Sequence, residues 1–337
     1  MKTNLIYILG MMCLSGTVSA QTTVNYTEFE QKVLDYSQTL KQSVSQRTAM
    51  QKAMKAAKTA FFPAVDATGS YQYRINKYDM DFGGMAVPME HDSYSAEVGV
   101  VQPIYAGGSI YHTYKASQIQ SQIADKSVDL TTDNLIYAAE ASYWGTAAQK
   151  EMYKTMCQYV EIISQLTKVL QDKYDDGYIS KTDLIQMQTR LKEAELQRSS
   201  SYQSYQIALQ NMNVLMGLEP NKEVGLVDSI FVELPLPAYV GADAALNVRP
   251  DYAISQLDVD YQKRQVKLAA AKYNPSLSIG FKETWGTQML NISGETMFNS
   301  NVYASVKLPL FHWGARFKST AAQKAILLGK QYALQDK

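Results

Sequence analysis

Three histidines, His91, His112 and His312, are scattered along the chain, two of them close to predicted strand ends. A metal centre needs convergent ligands at a fixed spacing, and no His, Cys or carboxylate partner stands at such a spacing from any of them. Asp175 and Asp176 pair two carboxylates that could attract a hard cation, but no periodic partner follows. No G-x-S-x-G elbow, phosphate-binding loop or dinucleotide fingerprint occurs. Asn291-Ile292-Ser293 matches a glycosylation acceptor and reads as a loop. We therefore assign no catalytic, cofactor-binding or metal residue and do not read the chain as an enzyme. The chemistry that does recur at regular spacing is charge facing water: Arg74, Glu97, Lys282 and Lys307 each lie on the polar side of an alternating segment.

Those charges need strands to aim them. In DATGSYQYRI, Val65, Ala67, Gly69, Tyr71, Tyr73 and Ile75 alternate with Asp66, Thr68, Ser70, Gln72 and Arg74. A period of two sends the two sets to opposite faces of a strand. The pattern recurs at Tyr94-x-Ala96-x-Val98-x-Val100, at Leu277-x-Ile279-x-Phe281 and at Val302-x-Ala304-x-Val306-x-Leu308. We predict strands over 64–76, 93–103, 276–285 and 302–309, each bordered by a proline (Pro63, Pro103, Pro275, Pro309) at the end nearest the helices. Loops over Lys77 to Asp92 and Gly286 to Asn301 join them in two hairpins. Glu283 alone puts a charge on an apolar face, and we place it at a rim. Two arrangements satisfy this pattern: an antiparallel sheet with one face on a helical core, or part of a membrane barrel.

The remaining chain is helical in character. From Ser109 to about Lys173 no proline or turn cluster occurs, which at 1.5 Å per residue gives roughly 95 Å of helix. Ile119, Ile123, Val128, Leu135, Ile136, Ala139 and Tyr143 form its apolar stripe. Gly177 can end this helix in the left-handed conformation, and Ser180 with Asp183 forms a capping box for a return helix from Lys181 to about Met216. A first helix is expected from Tyr26 to Phe61, and another from about Ala242 to Lys272. The plan is used twice: Ala57 to Gly69 aligns with Ala269 to Phe281, and Val98 to Ala116 with Ala304 to Ala322.

Met1-Lys2 followed by the apolar run Leu5 to Val18 and Val18-Ser19-Ala20 reads as a secretory signal peptide, residues 1–20. Cys13 would leave with it, so an exported chain keeps only Cys157 and forms no internal disulfide. Lys plus Arg and Asp plus Glu are balanced at 32 each, which argues against a nucleic-acid partner. No later run of about 18 apolar residues is present, a test to which a barrel strand of about ten alternating residues is blind. The organisation is a first repeat over 21–217, a linker over 218–241 and a second repeat over 242–337. The second copy lacks a second tip and reads as C-terminally incomplete.

The chain resembles the TolC family of outer membrane efflux proteins. The resemblance rests on the duplicated plan, on Pro103-Ile104-Tyr105-x-Gly107-Gly108, on the tip Gly177-Tyr178-Ile179-Ser180-Lys181-Thr182-Asp183-Leu184 and on Arg249-Pro250-Asp251. It implies a mainly α fold with a β-barrel portion. Long helical hairpins and four antiparallel strands per chain would assemble as a homotrimer, whose 12-stranded outer membrane barrel continues into a periplasmic α-barrel. Thr68, Ser70, Gln72, Arg74, Glu97 and Lys307 would then line the lumen, and Tyr71, Tyr73, Ile75, Val98, Ile279 and Val306 would face lipid. Tyr78 and Tyr94 would join Tyr71 and Tyr73 in an aromatic girdle, or else pack between helices.

The implied function is the passive exit duct of a tripartite efflux or type I secretion system in a Gram-negative bacterium. Its partners are a periplasmic adaptor and an inner membrane pump; no cofactor is implied. The tip residues Gly177, Tyr178, Ile179, Ser180, Asp183 and Leu184 are the expected adaptor surface, with Tyr178 and Ile179 exposed at the apex. The family's periplasmic gate maps onto no residue here. The alternative is a non-channel periplasmic scaffold of helical hairpins, or a fragment without function.

Overall fold

The computed structural model describes residues 22–76, 79–88, 90–231, 241–287 and 295–337. The signal-peptide segment, Tyr78, part of the linker and Asn291-Ile292-Ser293 lie outside them. The elements are β1 (Thr22–Val24), α1 (Tyr26–Tyr36), α2 (Gln38–Thr59), β2 (Ala64–Tyr73), β3 (Asp79–Phe82), β4 (Met85–Pro88), β5 (Asp92–Ala106), α3 (Ser109–Asp175), α4 (Lys181–Leu215), β6 (Val224–Leu226), α5 (Ala242–Val248), α6 (Pro250–Ala271), β7 (Ser276–Gly286), β8 (Met297–Lys307) and α7 (Ala315–Gln335). They form two compact units, one from residues 22–38 and 132–231, the other from 39–131 and 241–337.

The first unit is built on a parallel pair, β1 with β6, in the register Val24 to Leu226. Asn25 caps α1 by accepting the Glu28 N–H at 2.8 Å. Phe29 and Val33, one turn apart, therefore point the same way into the core. There they meet Tyr143 and Ala147 of α3 and Leu209 and Met212 of α4. Fully buried Asn213 ties the chain leaving α4 to the helix, donating to the carbonyls of Pro220 (3.0 Å) and Lys222 (2.8 Å). The continuous helix expected from Tyr26 to Phe61 is broken at Ser37, whose backbone is non-helical (φ −50°, ψ 115°). The break lets the Tyr36 ring lie over Gly217, where any Cβ would collide with it.

The second unit carries a four-stranded antiparallel sheet in the order β2-β5-β7-β8. The two predicted hairpins therefore pair with each other, through β5 and β7. β5 runs past Pro103 to Ala106, with a register shift between Pro103 and Tyr105 that lets a residue lacking an N–H sit inside the strand. β8 starts five residues earlier than predicted, at Met297. Residues 79–88, expected as loop, form the small hairpin β3-β4 closed by Gly83 and Gly84. The helix expected from Ala242 divides at Arg249, because Pro250 drives the preceding residue to an extended backbone (φ −68°, ψ 119°) while itself starting α6. Asp251, in the first turn of α6, accepts from Arg249 (2.7 Å) and Lys337 (3.1 Å). Chiefly through Arg249, its carboxyl is held down at about 2.

Candidate functional site

The sheet registers place each polar residue. Thr68 stands opposite Glu97, Glu97 opposite Thr284 and Thr284 opposite Asn299, so one polar row crosses all four strands. The adjacent row on that face runs Asp66, Gly99, Lys282, Asn301. Ser70 and Ser95 share a 2.8 Å hydrogen bond, and Lys282 Nζ lies 2.5 Å from Glu97 Oε2. Gln72 and Lys307 fall on the same face by alternation. Polar groups of β2, β5, β7 and β8, including Ser70, Gln72, Glu97 and Lys282, border a concavity of about 480 Å³.

The opposite face carries Tyr71, Tyr73, Val98, Ile279 and Val306. Arg74 and Ile75 lie beyond the last residue of β2, so the pleat does not set their facing; the Arg74 N–H donates instead to the His91 carbonyl at 2.6 Å. The apolar face is open: Tyr71 is 68%, Tyr73 60% and Val306 62% exposed. Among the described residues no helix of the same unit packs closely on it.

Glu283 places a charge on the apolar face. It stands in the row Ala67, Val98, Glu283, Ser300, three residues before the end of β7 and one row inside Trp285–Phe298 on the same face. Ser300 Oγ donates to its carboxylate.

Aromatic side chains gather at both ends of the sheet. Tyr94 and Trp285 approach at 5.6 Å and Tyr73 stacks on His91 at 5.6 Å at the loop end. At the helix end lie exposed Phe61, Phe62, Tyr105, Phe311 and Trp313. Trp313 holds a positive φ of 47°, the only such non-glycine among the described residues. Strand alternation points to the loop-end set alone. Phe61-Phe62, directly before Pro63, and Phe311-x-Trp313, starting two residues after Pro309, are the sequence signal for the second.

The other candidate is the hairpin tip in the first unit. Gly177 ends α3 at a φ of 80°. Its N–H donates to the Tyr174 carbonyl at 2.9 Å and the Tyr178 N–H to the Lys173 carbonyl at 2.8 Å, the paired bonds of a Schellman motif. Ser180 caps α4, accepting the Asp183 N–H at 3.2 Å while Asp183 accepts from the Ser180 N–H at 3.3 Å. Tyr178 is 80% exposed. Ile179 is half-buried and Leu184 buried, so the expectation of two exposed apolar groups holds for Tyr178 alone. Leu184 is buried one residue after Asp183 of the capping box, in the first turn of α4.

Below the tip, Tyr159, Ile162, Leu166 and Val169 form an exposed apolar stripe along α3, with Ile185 exposed on α4. At 100° per residue Tyr159 lies about 160° round α3 from buried Tyr143, so these residues form a second apolar stripe on a different face from the one that starts at Ile119.

Among the described residues no helix is long and apolar enough to cross a membrane, and no group of three His, Cys, Asp or Glu side chains could hold a metal ion. His312 packs against the Tyr273 ring at 5.4 Å, and Asp175 accepts from Gln171.

Residues 30–218 match the model of the family described as outer membrane efflux protein. The alkaline protease secretion protein AprF of Pseudomonas aeruginosa is 22% identical over 256 residues, covering 74% of this chain and 52% of that protein. The chain thus spans about half the length of this curated relative. Among solved structures, the Campylobacter jejuni CmeC outer membrane channel superposes with a TM-score of 0.77 at 17% identity, covering 92% of this chain and 67% of that one. The outer membrane protein VceC of Vibrio cholerae gives 0.75 at 14% identity, covering 92% and 74%.

Proposed function

Because the chain belongs to the outer membrane efflux protein family, we propose that it forms the outer membrane exit duct of a tripartite efflux or type I secretion system. The observation that carries this reading is the uncovered two-faced sheet. One face is polar and charged, the other apolar and exposed, and among the described residues β2 and β8 each have a neighbour on one side only. In hydrocarbon an unpaired strand edge is prohibitively costly, so these edges must be paired with further copies of the chain. Four strands are too few to close alone, since the smallest membrane barrels have about eight. Three copies, as the family resemblance implies, would give a 12-stranded barrel.

In that barrel Thr68, Ser70, Gln72, Glu97 and Lys307 line water, while Tyr71, Tyr73, Val98, Ile279 and Val306 meet lipid. The aromatic sets at the two ends of the sheet lie at the two membrane interfaces. Arg74 and Ile75 sit in the mouth, on the loop that follows β2. The duct is passive and carries out no catalysis: a polar lumen offers a path, and the energy comes from an inner membrane pump working through a periplasmic adaptor. The helical part stands in the periplasm of a Gram-negative cell.

Reconstitution into a planar bilayer tests this. Discrete conductance steps from a species that migrates as an oligomer unless boiled are expected. A protein that stays out of the outer membrane fraction and conducts nothing would end the proposal.

A further inference from the structure

The second unit contains a cavity of about 540 Å³ between α3, α6 and α7, away from the sheet faces described above. Lys115 of α3 and Lys263, Arg264 and Lys267 of α6 line it, with Asp260 as the one carboxylate. Lys263 and Lys267 are four residues apart on one helix, where like charges oppose folding rather than help it. The chain as a whole is charge-neutral, and elsewhere in this unit Lys330 pairs with Asp258 and Lys126 with Asp129. In the cavity Asp260 takes only Lys263, at 2.8 Å, and Lys115 donates to neutral Gln118 at 3.0 Å. Among the described residues Arg264 and Lys267 have no carboxylate partner.

One turn before Lys115, His112 reports the same field. Its pKa is lowered by burial first and then by Lys267 and Arg264, and its Nδ1 is shielded from solvent with no hydrogen-bond partner among the described residues. Two helices thus converge cations on one concavity large enough for a small ligand.

We propose that this cavity binds a phosphate-bearing anion, with Arg264 as its bidentate donor and Lys115 and Lys267 as flanking charges. Arg offers two parallel N–H groups that match two phosphate oxygens, and the lysines supply compact charge on either side. Inorganic phosphate or a soluble phosphate ester and the headgroup of an anionic phospholipid share this chemistry. The site draws on the second unit alone, so it stands or falls independently of the duct reading.

Two measurements on the purified full chain separate the sources. Calorimetric titration with inorganic phosphate at constant ionic strength, chloride replacing phosphate in the control, reads the soluble source. Native mass spectrometry after exposure to phosphatidylglycerol or phosphatidylcholine reads the lipid source. We expect saturable binding in at least one arm, weakened about tenfold or more in R264Q/K267Q, the size of a lost charge-assisted hydrogen bond. The surface variant K52Q should bind as wild type. K115Q, altered on a different helix, should also weaken binding and provides the test if the double variant fails to fold. Binding of phosphate alone assigns a soluble ligand, and binding of phosphatidylglycerol alone assigns a lipid. Binding in neither arm, or unchanged binding in both R264Q/K267Q and K115Q, overturns the site.

Discussion

Lys282 Nζ sits 2.5 Å from Glu97 Oε2 although neither residue faces the other in the register: Glu97 is opposite Thr284 and Lys282 opposite Gly99. The pair is diagonal across β5 and β7, on the polar face, with both side chains about a third or more exposed. Such a pair contributes little to stability, about 0 to 1 kcal/mol. Its consequence is for ions. Glu97→Gln leaves a cation in the proposed lumen of each subunit, so single-channel reversal potentials in a salt gradient should move toward anion preference with folding nearly unaffected. Lys282→Gln should move them the other way. Identical selectivity in both variants would mean that this face does not line the pore.

Adjacent residues on β2 test the face assignment more severely. Tyr71 is 68% exposed on the apolar face, and Gln72 beside it points to the polar one. Tyr71→Arg puts a cation toward lipid at about 2 to 4 kcal/mol per subunit near mid-membrane, less toward an interface, whereas Gln72→Arg adds one to water. Outer membrane fractions should hold far less oligomer of the first variant than of the second. Equal yields would reverse the two faces.

In the first unit, the Tyr143 hydroxyl lies 2.7 Å from Asp228 Oδ2, which also accepts the Tyr26 N–H at 2.8 Å. Tyr143→Phe keeps the volume and removes one hydrogen bond to a charged acceptor, a loss of about 1.5 to 3 kcal/mol that a denaturant midpoint would register. Burial first, and then Asp228, raises the Tyr143 pKa; burial and Glu30 push Tyr26 up to about 12. A raised pKa favours the neutral phenol in the folded state. Its contribution is therefore complete below about pH 10, the ordinary tyrosine value, and lost as pH climbs through the folded value. Thermal stability should fall between about pH 10 and the folded Tyr26 value of about 12, and fall less steeply in Tyr26→Phe.

What the sequence made legible follows from length and period. β2, β5, β7 and β8 repeat their alternation over enough residues that Thr68, Glu97, Tyr71 and Val306 sort by face from the pattern alone. β1 and β6 span three residues each, too few to display a period, and only the tertiary pairing of Val24 with Leu226 makes them strands. Ser37 immediately precedes α2, a position that favours serine, but a lone serine is also tolerated within a helix, so the break after Tyr36, where the Tyr36 ring lies over the distant Gly217, is not legible from it alone. At the tip, Gly177, Ser180 and Asp183 announced the turn because capping is local chemistry. Which apolar neighbours stay outside was not local: Ile179 and Leu184 turn inward and Tyr178 does not.

That last distinction defines the test of the tip. Gly177 fixes the reversal with a φ of 80°. An added Cβ in that conformation costs about 1 kcal/mol or more. Ser180 with Asp183 fixes the start of α4. Tyr178 is left 80% exposed at the apex. It is a large aromatic group with no core to fill, as expected of a residue kept for a partner. Under the proposed duct reading, Tyr178→Asp should thus leave oligomers in the outer membrane intact while abolishing efflux and crosslinking from neighbouring Lys181 to a periplasmic adaptor. Leu184→Ala empties a buried position and should cost about 2 to 5 kcal/mol locally, loosening the hairpin to protease rather than removing a contact surface. A Tyr178→Asp protein that still crosslinks at the wild-type level would show that the adaptor docks elsewhere. The exposed stripe of Ile162, Leu166 and Val169 would then be the next surface to vary.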